Sequence, residues 1–194
     1  MIECYKKLDI KIPNMNVVRG NHFDRYGIEE DGKFIGIEYG EFFLQDKKSI
    51  QNLNDFLSII PKSEKDYFNQ SYMYANSILY PHIDNNINSC INIYVKVNGG
   101  KTTFHNVKEK STDIKNEVGK LEGYNDTDRQ VVYGFEDVED VCHFNAEVGD
   151  VYIMNTSMLH SVTEVKGERM AITLQSKLPI DEVIKIFKGV WDGR

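Results

Sequence analysis

Five histidines, His22, His82, His105, His143 and His160, are the side chains best suited to metal or acid–base chemistry. His82-Ile83-Asp84 sets an imidazole and a carboxylate two residues apart, on one side of an extended backbone. One imidazole from a distant strand would complete two histidines and a carboxylate on one face of a metal. That set leaves open coordination positions and is diagnostic of non-haem Fe(II) oxygenases. His160 is the expected third ligand, since it follows a strand ending at Met154 and precedes a loop into the next strand. The spacing occurs twice, because His22-Phe23-Asp24 repeats it, and a rival set of His22, Asp24, His105 and Lys115 can be assembled. The rival is set aside. Lys115 lies in the polar run STDIKNEV, without alternation to aim it inward, while His22 and Asp24 sit beside a charged loop and read as a surface turn. His105 is expected at the surface, and His143 has no assigned role.

The elements that must position these residues read mostly as strands. Residues 1–45 give short strands with an Asp31-Gly32 hairpin signal before IGIEYGEFFL. Ile50, Leu53, Phe56, Leu57 and Ile60 recur at helical spacing over Ser49–Ile60, and Pro61 ends the helix. Ser63 to Asp66 is expected to open a second short helix. Cys90 to Asn98 alternates, with Ile91, Ile93, Val95 and Val97 on one face and Cys90, Asn92, Tyr94 and Lys96 on the other. A Gly99-Gly100 turn follows, then Thr102-Thr103-Phe104. Glu147–Met154 and Arg169–Gln175 read as further strands, and Pro179–Val190 as an amphipathic helix. Many short strands with a few helices point to a mainly β (α+β) jelly roll. The expected organisation is one domain, 1–194: strands and helices over 1–70, a core over 71–178, and a C-terminal helix over 179–194.

The residues from Tyr74 to Ser176 carry a resemblance. His82-Ile-Asp-Asn-Asn, Ile93-Tyr-Val-Lys-Val-Asn-Gly-Gly-Lys-Thr-Thr-Phe104, Gly149-Asp150, His160-Ser-Val and Arg169-Met-Ala-Ile-Thr173 occur in that order. This resembles the 2-oxoglutarate- and Fe(II)-dependent dioxygenases, most closely the prolyl hydroxylase branch. That family pairs a metal-binding HxD with a distal histidine and a basic residue some nine or ten positions later, the place of Arg169. The resemblance implies a double-stranded β-helix with Fe(II) on His82, Asp84 and His160. It implies 2-oxoglutarate and O2 as cosubstrates, with ascorbate as an accessory reductant. The C5 carboxylate would rest on Arg169, because a buried carboxylate needs a partner and a guanidinium fork suits it. Thr173, Tyr94, Asn92 and Thr102 would complete that pocket. The implied reaction is hydroxylation with release of succinate and CO2, and an aspartate at 84 favours it over halogenation. A peptide or protein side chain is the expected substrate, with a free amino acid or small metabolite as the alternative. A cupin-type metal-binding jelly roll without oxygenase activity is the rival outside the family.

Composition sets the outer limits. The chain has 194 residues, 41% of them hydrophobic, enough to fill a core. A net charge of -7 argues against a nucleic-acid partner, which needs clustered bases. No apolar run is long enough to span a bilayer and the N-terminus lacks a signal-peptide core, so a cytoplasmic protein is expected. Three cysteines, Cys4, Cys90 and Cys142, without CxxC spacing argue against a disulfide scaffold or a cysteine zinc site; Cys90 is expected to be buried. The polar stretch from Asn106 to Asp140 has no core pattern, and its Gly123-Tyr124 pair suits a flap that selects substrate. Its Glu136, Asp137, Glu139 and Asp140 read as a solvated face.

Overall fold

Alternation over Cys90–Val97 belongs to a strand buried on both faces, and that strand organises the molecule. The structure is a computed structural model and describes residues 3–31, 33–108 and 133–191. Strands β1 (Tyr5–Lys11), β2 (Val17–Glu30) and β3 (Lys33–Leu44) precede α1 (Lys47–Leu57). Then come β4 (Asn69–Ala75), β5 (Leu79–His82), β6 (Ser89–Val107), β7 (Val138–Asn145), β8 (Asp150–Met154), β9 (Leu159–Ser176) and α2 (Ile180–Trp191). Lys62–Tyr67 and Phe135–Asp137 are short 3-10 turns.

β6 and β9 run antiparallel along almost their whole length, from Ser89 opposite Ser176 to His105 opposite Leu159. The first half of β6 pairs with β8 and its second half with β7. The first half of β9 pairs with β5 and its second half with β4. Two sheets therefore share these two long strands. One has the order β1-β8-β6-β9-β4-β3-β2, and the other is β7-β6-β9-β5. This is a double-stranded β-helix, the expected jelly roll.

Each face of β6 feeds its own core. Ile91, Ile93 and Val95, with Ile172 and Leu174 of β9, face outward and are covered by Phe56 of α1 and Val183 and Phe187 of α2. Phe56 and Phe187 stack with centroids 6.0 Å apart. Cys90, Tyr94, Phe104 and Ala171 face inward with Phe144, Tyr152 and Met154. α1 opens at Asp46, whose carboxylate accepts from the Ser49 N–H, and α2 covers the expected C-terminal helix.

Several sequence expectations are corrected. Gly99-Gly100 is not a turn between strands: β6 continues through it, with register shifts between Tyr94 and Lys96 and between Val97 and Gly99. Both glycines have positive φ, 72° and 101°, which lets the strand bend from one sheet into the other. The slip also moves Val97 off the face of Ile91 and onto the inner core. His160 and Arg169 are joined by no loop and lie on one bent strand, β9. The first hairpin is long, β2 and β3 pairing from Val17 opposite Leu44 to Glu30 opposite Lys33. Ser63–Asp66 lies inside a 3-10 turn, Lys62–Tyr67, whose N-cap is Pro61, a residue with no side-chain acceptor to offer. Cys4 and Cys142 form a disulfide between the start of β1 and β7, a pairing that spacing alone does not reveal. Among the described residues no helix is long and apolar enough to cross a membrane.

Candidate metal centre and its cavity

His82 ends β5 and stands directly opposite His160 on β9. Asp84 follows two residues later, its N–H donating to the Thr156 carbonyl at 3.2 Å, which fixes the turn. One ligand atom from each of the three residues lies within 4.8 Å of the other two. Asp84 Oδ1 is 3.6 Å from His82 Nε2 and 3.9 Å from His160 Nε2. Both imidazoles are oriented from behind. His82 Nδ1 lies 2.7 Å from the Tyr80 carbonyl and His160 Nδ1 3.0 Å from the Met158 carbonyl. A carbonyl can only accept, so Nδ1 carries the proton and Nε2 turns its lone pair toward the cluster.

The electrostatics suit this arrangement. Burial, reinforced by nearby His82, pushes His160 down to about 4, so it is neutral and ready to ligate. Burial also penalises charge on His82, but the neighbouring Asp84 carboxylate outweighs it and raises its pKa. Asp84 responds in the opposite sense: burial alone would raise it, and His82 with His160 lower it. A metal held here would compete with protonation of His82 Nε2.

The inner faces of β6 and β9 build the other end of the cavity. Arg169 is 0% exposed, and its Nη2 donates to Tyr94 Oη at 3.0 Å and Thr102 Oγ1 at 2.9 Å. Among the described residues its Nε and Nη1 are buried with no partner. The Tyr94 ring lies 4.8 Å beneath the guanidinium carbon. A Cβ on Gly100 would come within 3.0 Å of Arg169 Cδ and 3.1 Å of Nη1, so only glycine leaves this space. His82, Asp84, His160 and Arg169 line one narrow cavity of about 30 Å3, with Asn92 and Thr173 on its wall. Asn92 Nδ2 reaches Met154 Sδ at 3.2 Å, and its buried Oδ1 has no partner.

The structure thus brings all eight expected site residues to one cavity. It leaves the rival set apart: His22 and Asp24 are exposed on β2, in a strand and not the expected turn. Lys115 and the Gly123-Tyr124 pair lie outside the described residues. His105 is corrected from surface to interior, 3% exposed, with Nε2 2.8 Å from Ser161 Oγ and Nδ1 3.0 Å from Asp140. Cys90 is buried as expected, and burial raises its thiol pKa. Gln175 also lines this cavity and Gly100 packs against Arg169. Sequence pattern alone marks the first as an ordinary strand end and the second as a turn residue.

No family model and no curated protein sequence matches this chain. Solved structures that resemble it include E. coli ycfD, titled a ribosomal oxygenase in a second structure of it. The first of these is 11% identical over 82% of this chain and 39% of its own, with a TM-score of 0.42. Vicilin from Solanum melongena is 11% identical over 66% of this chain and 36% of its own, with a TM-score of 0.36. Vicilin from Corylus avellana is 10% identical over 85% and 42%, with a TM-score of 0.39. The chain spans less than half the length of these proteins. None of them singles out the prolyl hydroxylase branch, and the jelly roll rests on the strand pairing itself.

Proposed function

We propose that the chain is a 2-oxoglutarate- and Fe(II)-dependent oxygenase that hydroxylates an unactivated C–H bond. One observation carries this reading: a wholly buried arginine with two unpartnered nitrogens opens on the same cavity as two histidines and an aspartate. A buried unpaired cation is costly, so a counter-charge belongs beside it. A metal-binding jelly roll without oxygenase activity has use for the three ligands and none for Arg169.

His82 Nε2, His160 Nε2 and the Asp84 carboxylate would hold Fe(II), leaving positions open for a chelating 2-oxo acid and O2. Arg169 would take the far carboxylate of 2-oxoglutarate through one of its unpartnered nitrogens, Nε or Nη1. Tyr94 and Thr102 meanwhile hold Nη2 and set the plane of the fork. Thr173 and Asn92, polar groups on the same wall, would add hydrogen bonds. When bound, iron would activate O2, the oxidant, with 2-oxoglutarate giving up two electrons as it becomes succinate and CO2 and the substrate C–H bond giving the other two, one oxygen atom ending in succinate and one in the hydroxyl. The chain's own part is to bind, orient and keep water out. Phe104, Val162 and Leu79 surround the ligand histidines with apolar wall. At about 30 Å3 the cavity holds roughly two waters, so a five-carbon diacid enters by moving side chains of that wall. The substrate class implied by the resemblance, a peptide or protein side chain, forms part of this reading, with a free amino acid or small metabolite as its alternative.

The test is succinate formation by the purified chain with Fe(II), 2-oxoglutarate and O2, each omitted in turn. Dependence on all three supports the reading. Tight metal binding with no succinate under any condition would leave the non-oxygenase jelly roll in its place.

A further inference from the structure

A second cavity, of about 320 Å3, adjoins the metal cavity. Gln175 lines both, so the two share a wall. Gln175 stands opposite Cys90 on β6, and Cys90 lines the metal cavity. The other side of the cleft is the loop that begins at Asp84. Asn86 adopts φ 59° there, and Ile87 follows it into the lining. This loop is held firmly. Asn88 N–H donates to the Ser176 carbonyl at 2.9 Å, Asn88 Nδ2 to the Lys177 carbonyl at 2.6 Å, and Thr156 Oγ1 to the Ile87 carbonyl at 3.1 Å. A ligand in the cleft is thereby placed at a fixed offset from Asp84.

The chemistry of the lining is specific. It carries one acid, Asp66, and one base, Lys177. Among the described residues neither makes an ion pair, with the other or elsewhere. The amides of Asn69, Asn86 and Gln175 add donors and acceptors, and the exposed Tyr67 ring adds a π face. A single base does not match a phosphate or a second dicarboxylate, which call for clustered cations. A mid-chain peptide segment has no charge of its own backbone to offer either side chain. A molecule with one ammonium and one carboxylate satisfies both.

We propose that this cleft is the substrate subsite and that it takes a free α-amino acid, its ammonium toward Asp66 and Tyr67 and its carboxylate toward Lys177. Its side chain passes Gln175 toward the metal. This rests on the oxygenase reading for what happens next, but the binding itself does not, and it moves the preferred substrate from a protein side chain to a free amino acid.

The experiment uses the full chain loaded with Mn(II) and 2-oxoglutarate, so that binding is read without turnover. Each of the twenty L-amino acids, with its N-acetyl and carboxamide forms, is titrated by calorimetry. At least one free amino acid should bind, and blocking either end should weaken it ten-fold or more. Lys177→Gln should restore near-parity between that amino acid and its carboxamide, and Asp66→Asn between it and its N-acetyl form. Binding by none of the twenty, or equal binding of blocked and free forms, would overturn the proposal. A parallel succinate assay with Fe(II) separates the two readings. Amino-acid binding without succinate sinks the oxygenase and leaves the subsite. Succinate formation without amino-acid binding does the reverse.

Discussion

At the scale of single residues, the proposed metal ligands and Arg169 would have separable roles. His82→Ala, Asp84→Ala and His160→Ala should each abolish stoichiometric Fe(II) or Mn(II) binding, because each removes one of three donors in reach of a common centre. His22→Ala, in the exposed copy of the same motif, should bind metal as the wild type does. An equally metal-free His22 variant would show that the wrong copy had been assigned. Arg169→Ala removes the cation proposed to face the C5 carboxylate. Charge-assisted hydrogen bonds contribute about 1.5–3 kcal/mol each. Affinity for 2-oxoglutarate should therefore fall by about 10- to 100-fold while metal binding survives. Arg169→Lys should lose less, keeping the charge and losing the fork. Gly100→Ala tests the seat of that arginine. Its Cβ would press on Arg169 Cδ and Nη1 from a backbone at φ 101°, so 2-oxoglutarate affinity should drop by on the order of ten-fold. An alanine variant with wild-type affinity would show that Arg169 does not need this clearance.

Among elements, β1 pairs with β8 along the backbone, and the Asp150 carboxylate adds ion pairs across that seam. Asp150 is 1% exposed, accepts the Glu147 N–H at 2.9 Å, and meets Lys7 at 2.9 Å and Lys11 at 3.0 Å. Burial would raise its pKa, but the Glu147 N–H and the two ammonium groups outweigh it, and the pKa is lowered. A depressed native pKa stabilises the fold above the ordinary carboxylate range, near ~4. That contribution is lost as pH falls through the native value. Thermal midpoints measured from pH 7 down to pH 2.5 should show this loss. Asp150→Asn should be less stable at pH 7 and should show a shallower acid slope. An unchanged slope would assign the acid sensitivity to other groups.

At the scale of the molecule, the two sheets meet through β6 and β9 on one side and through a covalent link on the other. The Cys4–Cys142 disulfide joins the start of β1, at the edge of the larger sheet, to β7, at the edge of the smaller. Tyr5 fills the seam beside it, its ring 4.7 Å from Phe144 and its hydroxyl donating to the His143 carbonyl at 2.9 Å. The bridge closes a span of 138 residues, and cross-links of long spans stabilise by about 2–4 kcal/mol. Cys142→Ser should lower the denaturant midpoint accordingly, and reductant should do the same to the wild type but not to the variant. A wild type indifferent to reductant would show two thiols that do not join.

Much of this was legible in the sequence, for a physical reason. Side-chain periodicity is local, so alternation through Ile91, Ile93 and Val95 announced a strand, and the spacing of Leu53, Phe56 and Leu57 announced a helix. His82 and Asp84 share a side of their backbone whatever surrounds them. Their ligand chemistry follows from residue type. Long-range register is another matter, because it depends on which strands meet. His160 and Arg169 are nine apart, and simple alternation would put them on opposite faces of one strand. Both reach the cavity because β9 changes face between Val162 and Val165, which are three apart yet both on the inner core, where Glu164 adopts φ 58°. On β6, the register shift between Val97 and Gly99 makes the expected glycine turn a bend in a continuous strand. Pairing of Cys4 with Cys142, burial of His105 and the meeting of Asp66 with Lys177 in one cleft likewise join residues far apart in the chain. The sequence by itself determined the strands, the helices and the chemistry of the His-Asp-His-Arg set. Tertiary structure alone decided that these four open on one cavity, since only packing chooses register.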